Sequence, residues 1–124
     1  MRINNNICVF KRIQNQKLNL VVSSKKIKDY NNNGVVVLRN VVPQKWITIL
    51  KRGLKKNFQN PSKYKCVYEK DNKKELFYDD YCNWNKIDEY KNFIFKSDIG
   101  KLAKELMKSN KVNVFHEHVL VKEI

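Results

Sequence analysis

Apolar residues recur along this chain with two different periods, and the changes of period mark the elements. From Trp46, the positions Leu50, Leu54 and Phe58 follow at intervals of four with Ile47 beside them, an apolar stripe on one face of a helix. Pro43 fits the first helical position, where its missing N–H costs nothing, and Asn60-Pro61-Ser62 ends the helix. Gly53 inside the stripe is a demerit of about 1 kcal/mol against Ala. Ile87, Tyr90, Lys91 and Ile94 predict a short helix. A further stripe, Ile99, Leu102, Ala103, Leu106 and Met107, falls at i, i+3, i+4, i+7 and i+8. Ser97 is the expected N-cap of that helix, with Gly100 where a capping box would carry Glu or Gln, and Ser109-Asn110 stops it.

Strand patterns occupy the rest. Ile7 to Phe10 and Leu18 to Val22 read as short edge strands in a polar N-terminal segment, residues 1–33. Asn31-Asn32-Asn33-Gly34 signals a turn, and Val35-Val36-Val37-Leu38 reads as a strand buried on both faces. Tyr64 to Tyr68 alternates as a strand, Asp71-Asn72 as a turn, and Leu76 to Trp84 is dense in aromatics. Val112 to Val121 predicts a last strand, with Val112, Val114, His116, His118 and Leu120 on one face and Phe115, Glu117, Val119 and Val121 on the other. Apolar residues on both faces suggest a strand covered on both sides, its imidazoles lining a pocket.

Composition narrows the class. The 124 residues are 42% hydrophobic with only three Gly and two Pro, so a single small folded domain is expected. No apolar run approaches the ~18 residues of a membrane span, and Lys11 and Arg12 interrupt the N-terminal stretch that could imitate a signal peptide, so a cytoplasmic protein without membrane contact is expected. The net charge is +14, with 18 Lys/Arg against 3 Asp/Glu in residues 1–74 and 8 against 9 in the remainder. A basic module for an anionic partner is one reading. Against nucleic acid in particular, only four of the basic residues are Arg, and no block of five or six like charges occurs. Abundant Lys, Asn and Ile also follow from an adenine- and thymine-rich coding sequence alone.

Little chemistry is written in motifs. Cys8, Cys66 and Cys82 form no C-x-x-C pair and are expected reduced and mostly buried, without a nucleophile among them. Asp79 and Asp80 are adjacent and diverge in any regular element, so they read as turn or surface aspartates. Trp84 reads as core or pocket rim, with core preferred. His116 and His118 point the same way on a strand with Cα atoms ~6.5 Å apart, and with Glu123 they match part of a cupin metal motif. The Gly expected six residues before His116 is Asn110, and Glu123 falls on the opposite strand face. Pocket-lining histidines are therefore preferred to a minimal cupin-like metal site, and no metal ligand or catalytic residue is assigned.

Four segments taken together carry more. Gly34-Val35-Val36-Val37-Leu38-Arg39-Asn40-Val41-Val42-Pro43 is followed by Tyr78-Asp79-Asp80-Tyr81-Cys82-Asn83-Trp84, by the helix from Leu102 to Met107, and by Val114-Phe115-His116-Glu117-His118-Val119-Leu120-Val121-Lys122-Glu123. In this order they resemble the N-terminal half of phytanoyl-CoA dioxygenase family proteins, over residues 34–124. The resemblance implies an α+β fragment: helices and the first strands of an incomplete double-stranded β-helix, or jelly-roll, barrel. It implies an oxidoreductase that uses Fe(II) and 2-oxoglutarate to hydroxylate a small organic substrate, with iron held by two His and a carboxylate. The H-x-D pair of that family follows a V-K-E-P-G segment, where this sequence has Ile124 in place of Pro. A truncated or split member is expected, binding no iron or cosubstrate alone and pairing with a complementing C-terminal fragment. By position in the family, His118 and Tyr81 would line the 2-oxoglutarate pocket.

Overall fold

Helix formation follows the stripes, and the residues that the stripes bury show why. The computed structural model describes residues 22–69 and 76–123. In chain order these form α1 (Ser24–Asn33), α2 (Gln44–Gln59), β1 (Cys66–Glu69), β2 (Leu76–Tyr81), α3 (Asp88–Lys96), α4 (Ile99–Met107) and β3 (His118–Glu123), an α+β arrangement. The strands make one antiparallel sheet in the order β1-β2-β3. Helix α2 buries Trp46, Gly53 and Asn57 and packs on α3, whose buried residue is Tyr90. Trp46 meets Phe93 edge-on at 5.8 Å between ring centroids. Helices α1 and α4 pack together, and the Val22 N–H donates to the Glu105 carboxylate at 2.8 Å.

Gly53 has a positive role here. A Cβ at this position would lie 2.7 Å from Tyr90 Cε1 and 3.0 Å from Glu89 Cβ, so the absent side chain is what lets α2 and α3 approach. The propensity cost is the lesser effect.

The sheet register sorts β2 into two faces. Tyr78 and Asp80, level with Val121 and Val119, point toward the helices, and the Phe58 ring of α2 lies edge-on to Tyr78 at 4.7 Å. Phe77, Asp79 and Tyr81 point the other way, level with Lys122, Leu120 and His118, and β1 adds Tyr68 and Cys66 to that face. No described element covers this second face, on which Tyr68 is 56% and Leu120 57% exposed.

Several expectations are corrected. Residues 24–33 form α1, capped by the Ser23 side chain, which accepts from the Lys26 N–H, and closed by Gly34 in the left-handed region at φ 70°. Of the two N-terminal strands, Ile7 to Phe10 lies outside the described residues, as does Leu18 to Val22 except for Val22; the Asp71-Asn72 turn lies outside as well. Val35 to Leu38 is not a paired strand: Val35 is 67% and Val37 58% exposed, with Val36 and Leu38 half-buried. Pro43 is the N-cap of α2 and not its first residue, since its carbonyl accepts from Trp46 and Ile47. The N-cap of α4 is Asp98, although the Ser97 hydroxyl accepts from the Ile99 N–H. The last strand begins at His118 and not at Val112. Trp84 is half-buried, edge-on to the exposed Phe95.

Replacing Gly53 with Ala tests the helix contact. An exposed helical Gly gains stability on this change, but here Tyr90 is buried and cannot yield, so a loss of about 1–3 kcal/mol is expected from the urea midpoint. A Gly53→Ala protein as stable as the parent would overturn the account.

Candidate functional site

Two clusters lie back to back on β2, one under the sheet and one on its open face. The buried cluster is built around Asp80, which is fully buried together with Asn57 and, nearly so, Asn83. A carboxylate in such a place requires donors on every lone pair. Its Oδ2 accepts from Asn57 Nδ2 at 2.6 Å, the Ser62 N–H at 3.0 Å, the Tyr78 hydroxyl at 3.2 Å and Asn83 Nδ2 at 3.4 Å. Its Oδ1 accepts from the Ser62 hydroxyl at 2.5 Å and the Tyr81 N–H at 2.9 Å. Among the described residues Asn57 Oδ1 and Asn83 Oδ1 have no partner, so both amides are turned to serve the anion.

These contacts decide the charge state. Burial pushes the Asp80 carboxyl up, but the Ser62 hydroxyl and N–H, Asn57 and the Tyr81 N–H together outweigh it and hold the group below its ordinary value of 3.8. Burial drives the Tyr78 phenol to about 12, against the opposing Asn57 contact, so it remains a neutral donor. Nearby, the Lys56 ammonium contacts Glu89 at 2.8 Å and, chiefly through that bond, holds the Glu89 carboxyl low against its burial.

After β2 the chain turns at Cys82, in the left-handed region at φ 64°. Glu117 fixes this turn twice: its carbonyl accepts from the Cys82 N–H at 3.3 Å and its carboxylate from the Asn83 N–H. The Asn83 carbonyl then accepts from Lys86 and Ile87, leading into α3.

The open face carries the imidazoles. His118 sits opposite Tyr81 in the β2–β3 register, with ring centroids 5.4 Å apart, and its Nε2 is 2.5 Å from Asp79 Oδ1. His116 lies 5.8 Å from the Tyr81 ring and 6.0 Å from His118, with Phe115 against it at 4.7 Å. On its other side Tyr81 stacks on Tyr64 at 4.6 Å.

The two pocket-wall residues expected from the resemblance, His118 and Tyr81, are therefore in contact. Both imidazoles are exposed, so the expected covering on both sides of the strand does not hold among the described residues. Asp80 is corrected from a turn or surface residue to the centre of the buried cluster, and Asp79 is paired with His118. Cys82 is exposed and Cys66 half-buried, against the expectation of buried thiols; Cys8 lies outside the described residues. The sequence pattern assigns no role to Asn57, Asn83 or Glu117, and to Ser62 only the end of α2. The available signal was Asn57, a polar residue on the buried side of α2, together with the alternation that turns Tyr78 and Asp80 to one face.

Iron of the kind that the resemblance implies needs two imidazoles and a carboxylate around one point. Among the described residues no three His, Cys, Asp or Glu side chains are gathered in this way, so they do not fit that centre. A dicarboxylate such as 2-oxoglutarate would meet the Asp79 carboxylate beside His118, with Lys122 and, beside Tyr64, Lys63 as cations near that face, and does not fit these residues alone. Among the described residues no helix is long and apolar enough to cross a membrane.

Asp80 supplies the prediction. Because its folded-state value is depressed, its stabilisation is present above about pH 4 and is lost as pH falls through the folded value. Asp80→Asn is expected to lower stability at pH 7 by about 2–4 kcal/mol, since donors are left facing an amide, and to flatten the acid limb of the urea midpoint against pH. An unchanged acid limb would assign that limb to other groups. No family model, curated protein or solved structure matched the chain.

Proposed function

We propose that the helix-backed sheet is one wall of a jelly-roll container of the phytanoyl-CoA dioxygenase type. The parent reaction is the Fe(II)- and 2-oxoglutarate-dependent hydroxylation of a small organic substrate, and this chain contributes wall without iron ligands. The observation that carries the reading is unequal burial: Tyr78 and Asp80 are sealed on the helix side, while on the other face His118 and Leu120 are exposed and Phe77, Asp79 and Tyr81 only half-buried, with no described helix or strand over them. A sheet of this kind is completed by a second sheet about 10 Å away, across which the bare face would become an interior surface. His118 and Tyr81 then stand on the inner wall, where the resemblance expects the cosubstrate. On this reading the iron ligands, an H-x-D pair and a distant His, are supplied from outside these residues.

Two measurements test this. The purified chain supplied with Fe(II), ascorbate and 2-oxoglutarate is expected to release no succinate; turnover by the chain alone would remove the wall-only assignment. Coding DNA read onward from the Ile124 codon is expected to encode, in some frame, an H-x-D pair and a later His, and unrelated sequence there would overturn the family reading.

A second reading rests on the outward side of α2. Lys45, Lys51, Arg52, Lys55 and Lys56 are all exposed there, the helix contains no acidic residue, and its apolar side is already committed to the core. A surface of this kind suits an anionic partner through counterion release. Binding to DNA, RNA or heparin that weakens steeply with salt is expected on this reading, and salt-independent or absent binding would eliminate it.

A further inference from the structure

The contact between His118 and Asp79 fixes more than a salt bridge. A carboxylate only accepts hydrogen bonds, so at 2.5 Å from Asp79 Oδ1 the His118 Nε2 carries the proton, and in the neutral ring Nδ1 keeps its lone pair. An imidazole held by a carboxylate on one nitrogen and free on the other is the arrangement in which histidine ligates metal ions. Nearby stands another imidazole. His116 has its ring centroid 6.0 Å from that of His118, with the planes at 56°, and Tyr81 lies against both.

Distance decides whether the pair can share an ion. A Zn–N bond of about 2.0–2.1 Å puts each ring centre roughly 3.2 Å from the metal, so rings at a tetrahedral angle stand about 5.2 Å apart. Closing the observed 6.0 Å to that value takes less than one ångström, which exposed side chains supply by small torsional changes. Both rings are open to solvent, so water can complete the coordination.

We propose that His116 and His118 chelate one late first-row divalent cation, of the zinc and copper class, with Asp79 as the positioning residue that fixes the His118 ring. The donor set is imidazole and water, which favours Cu²⁺, Ni²⁺ and Zn²⁺ over Fe²⁺. This site is independent of the oxygenase reading: it uses this chain's own surface and needs no second sheet.

Thiols are the competing donors, because Cys66 sits level with Asp79 on the same face and Cys82 is exposed. The test is therefore made on the full chain with Cys8→Ser, Cys66→Ser and Cys82→Ser, titrated calorimetrically with ZnCl₂. One zinc ion per chain is expected, with affinity reduced at least about tenfold by His116→Ala and by His118→Ala. His116 precedes β3, so His116→Ala leaves the sheet intact, and circular dichroism melts check both variants. Asp79→Asn is expected to weaken zinc about tenfold and to change the His118 tautomer in ¹⁵N imidazole spectra, a readout that mere loss of stability would not move. Absence of stoichiometric zinc, or affinity unchanged in either histidine variant, overturns the site; unchanged tautomer and affinity in Asp79→Asn overturns the role of Asp79. Neither outcome bears on succinate release or on the DNA beyond Ile124, so this proposal and the wall reading fail separately.

Discussion

A single buried carboxylate organises this fold. Asp80 draws donors from α2 (Asn57), from the connection after it (Ser62), from its own strand (Tyr78 and the Tyr81 N–H) and from the turn beyond (Asn83). Moving such a group from water costs several kcal/mol, which is offset only when the donors arrive together. The network is therefore cooperative: it locks α2 to the sheet at one height and one register. A slip of one residue in β2 would expose Asp80 and bury Asp79 among the same donors with the wrong neighbours. Apolar contacts alone, such as Phe58 on Tyr78, would not discriminate so sharply.

What could be read from the sequence follows from this division of labour. Helices α2, α3 and α4 bury apolar stripes, so periodicity found them and erred by a residue at the caps. Helix α1 has no fully buried residue: it rests on α4 and is closed by Ser23 at one end and Gly34 at the other, so no apolar stripe marks it in the sequence. Its ten residues include Lys25, Lys26, Lys28 and three successive Asn, a polarity that reads as loop. Val35 to Leu38 failed in the opposite direction. Four apolar β-formers in a row describe a local preference for extended backbone, and burial does alternate along the segment, but pairing needs a neighbouring strand that composition cannot supply.

The buried cluster was illegible for a different reason. Asp, Asn and Ser are turn and surface residues on average, and their burial here depends on five side chains brought together from separate parts of the chain. Tyr81 and His118 are singled out together by the family resemblance, and their cross-strand contact follows from the register alone, Tyr81 opposite His118. Gly53 shows the same limit in miniature. Propensity counts it as a defect, and only the position of Tyr90 turns it into a requirement.

Alternation along two neighbouring strands then links stability to surface chemistry. Asp79 and Asp80 diverge, as adjacent residues in a strand must, and so do Glu117 and His118. The inward members, Asp80 and Glu117, hold the sheet and the Cys82 turn; the outward members, Asp79 and His118, meet each other on the bare face. The outward pair is thus placed by the inward pair. Because the Glu117 carbonyl and carboxylate both grip the turn after β2, the segment that carries His116 and His118 cannot drift along β2 without breaking bonds to Cys82 and Asn83. A surface group with fixed geometry requires this kind of buried support, since exposed side chains alone cannot hold one another in place.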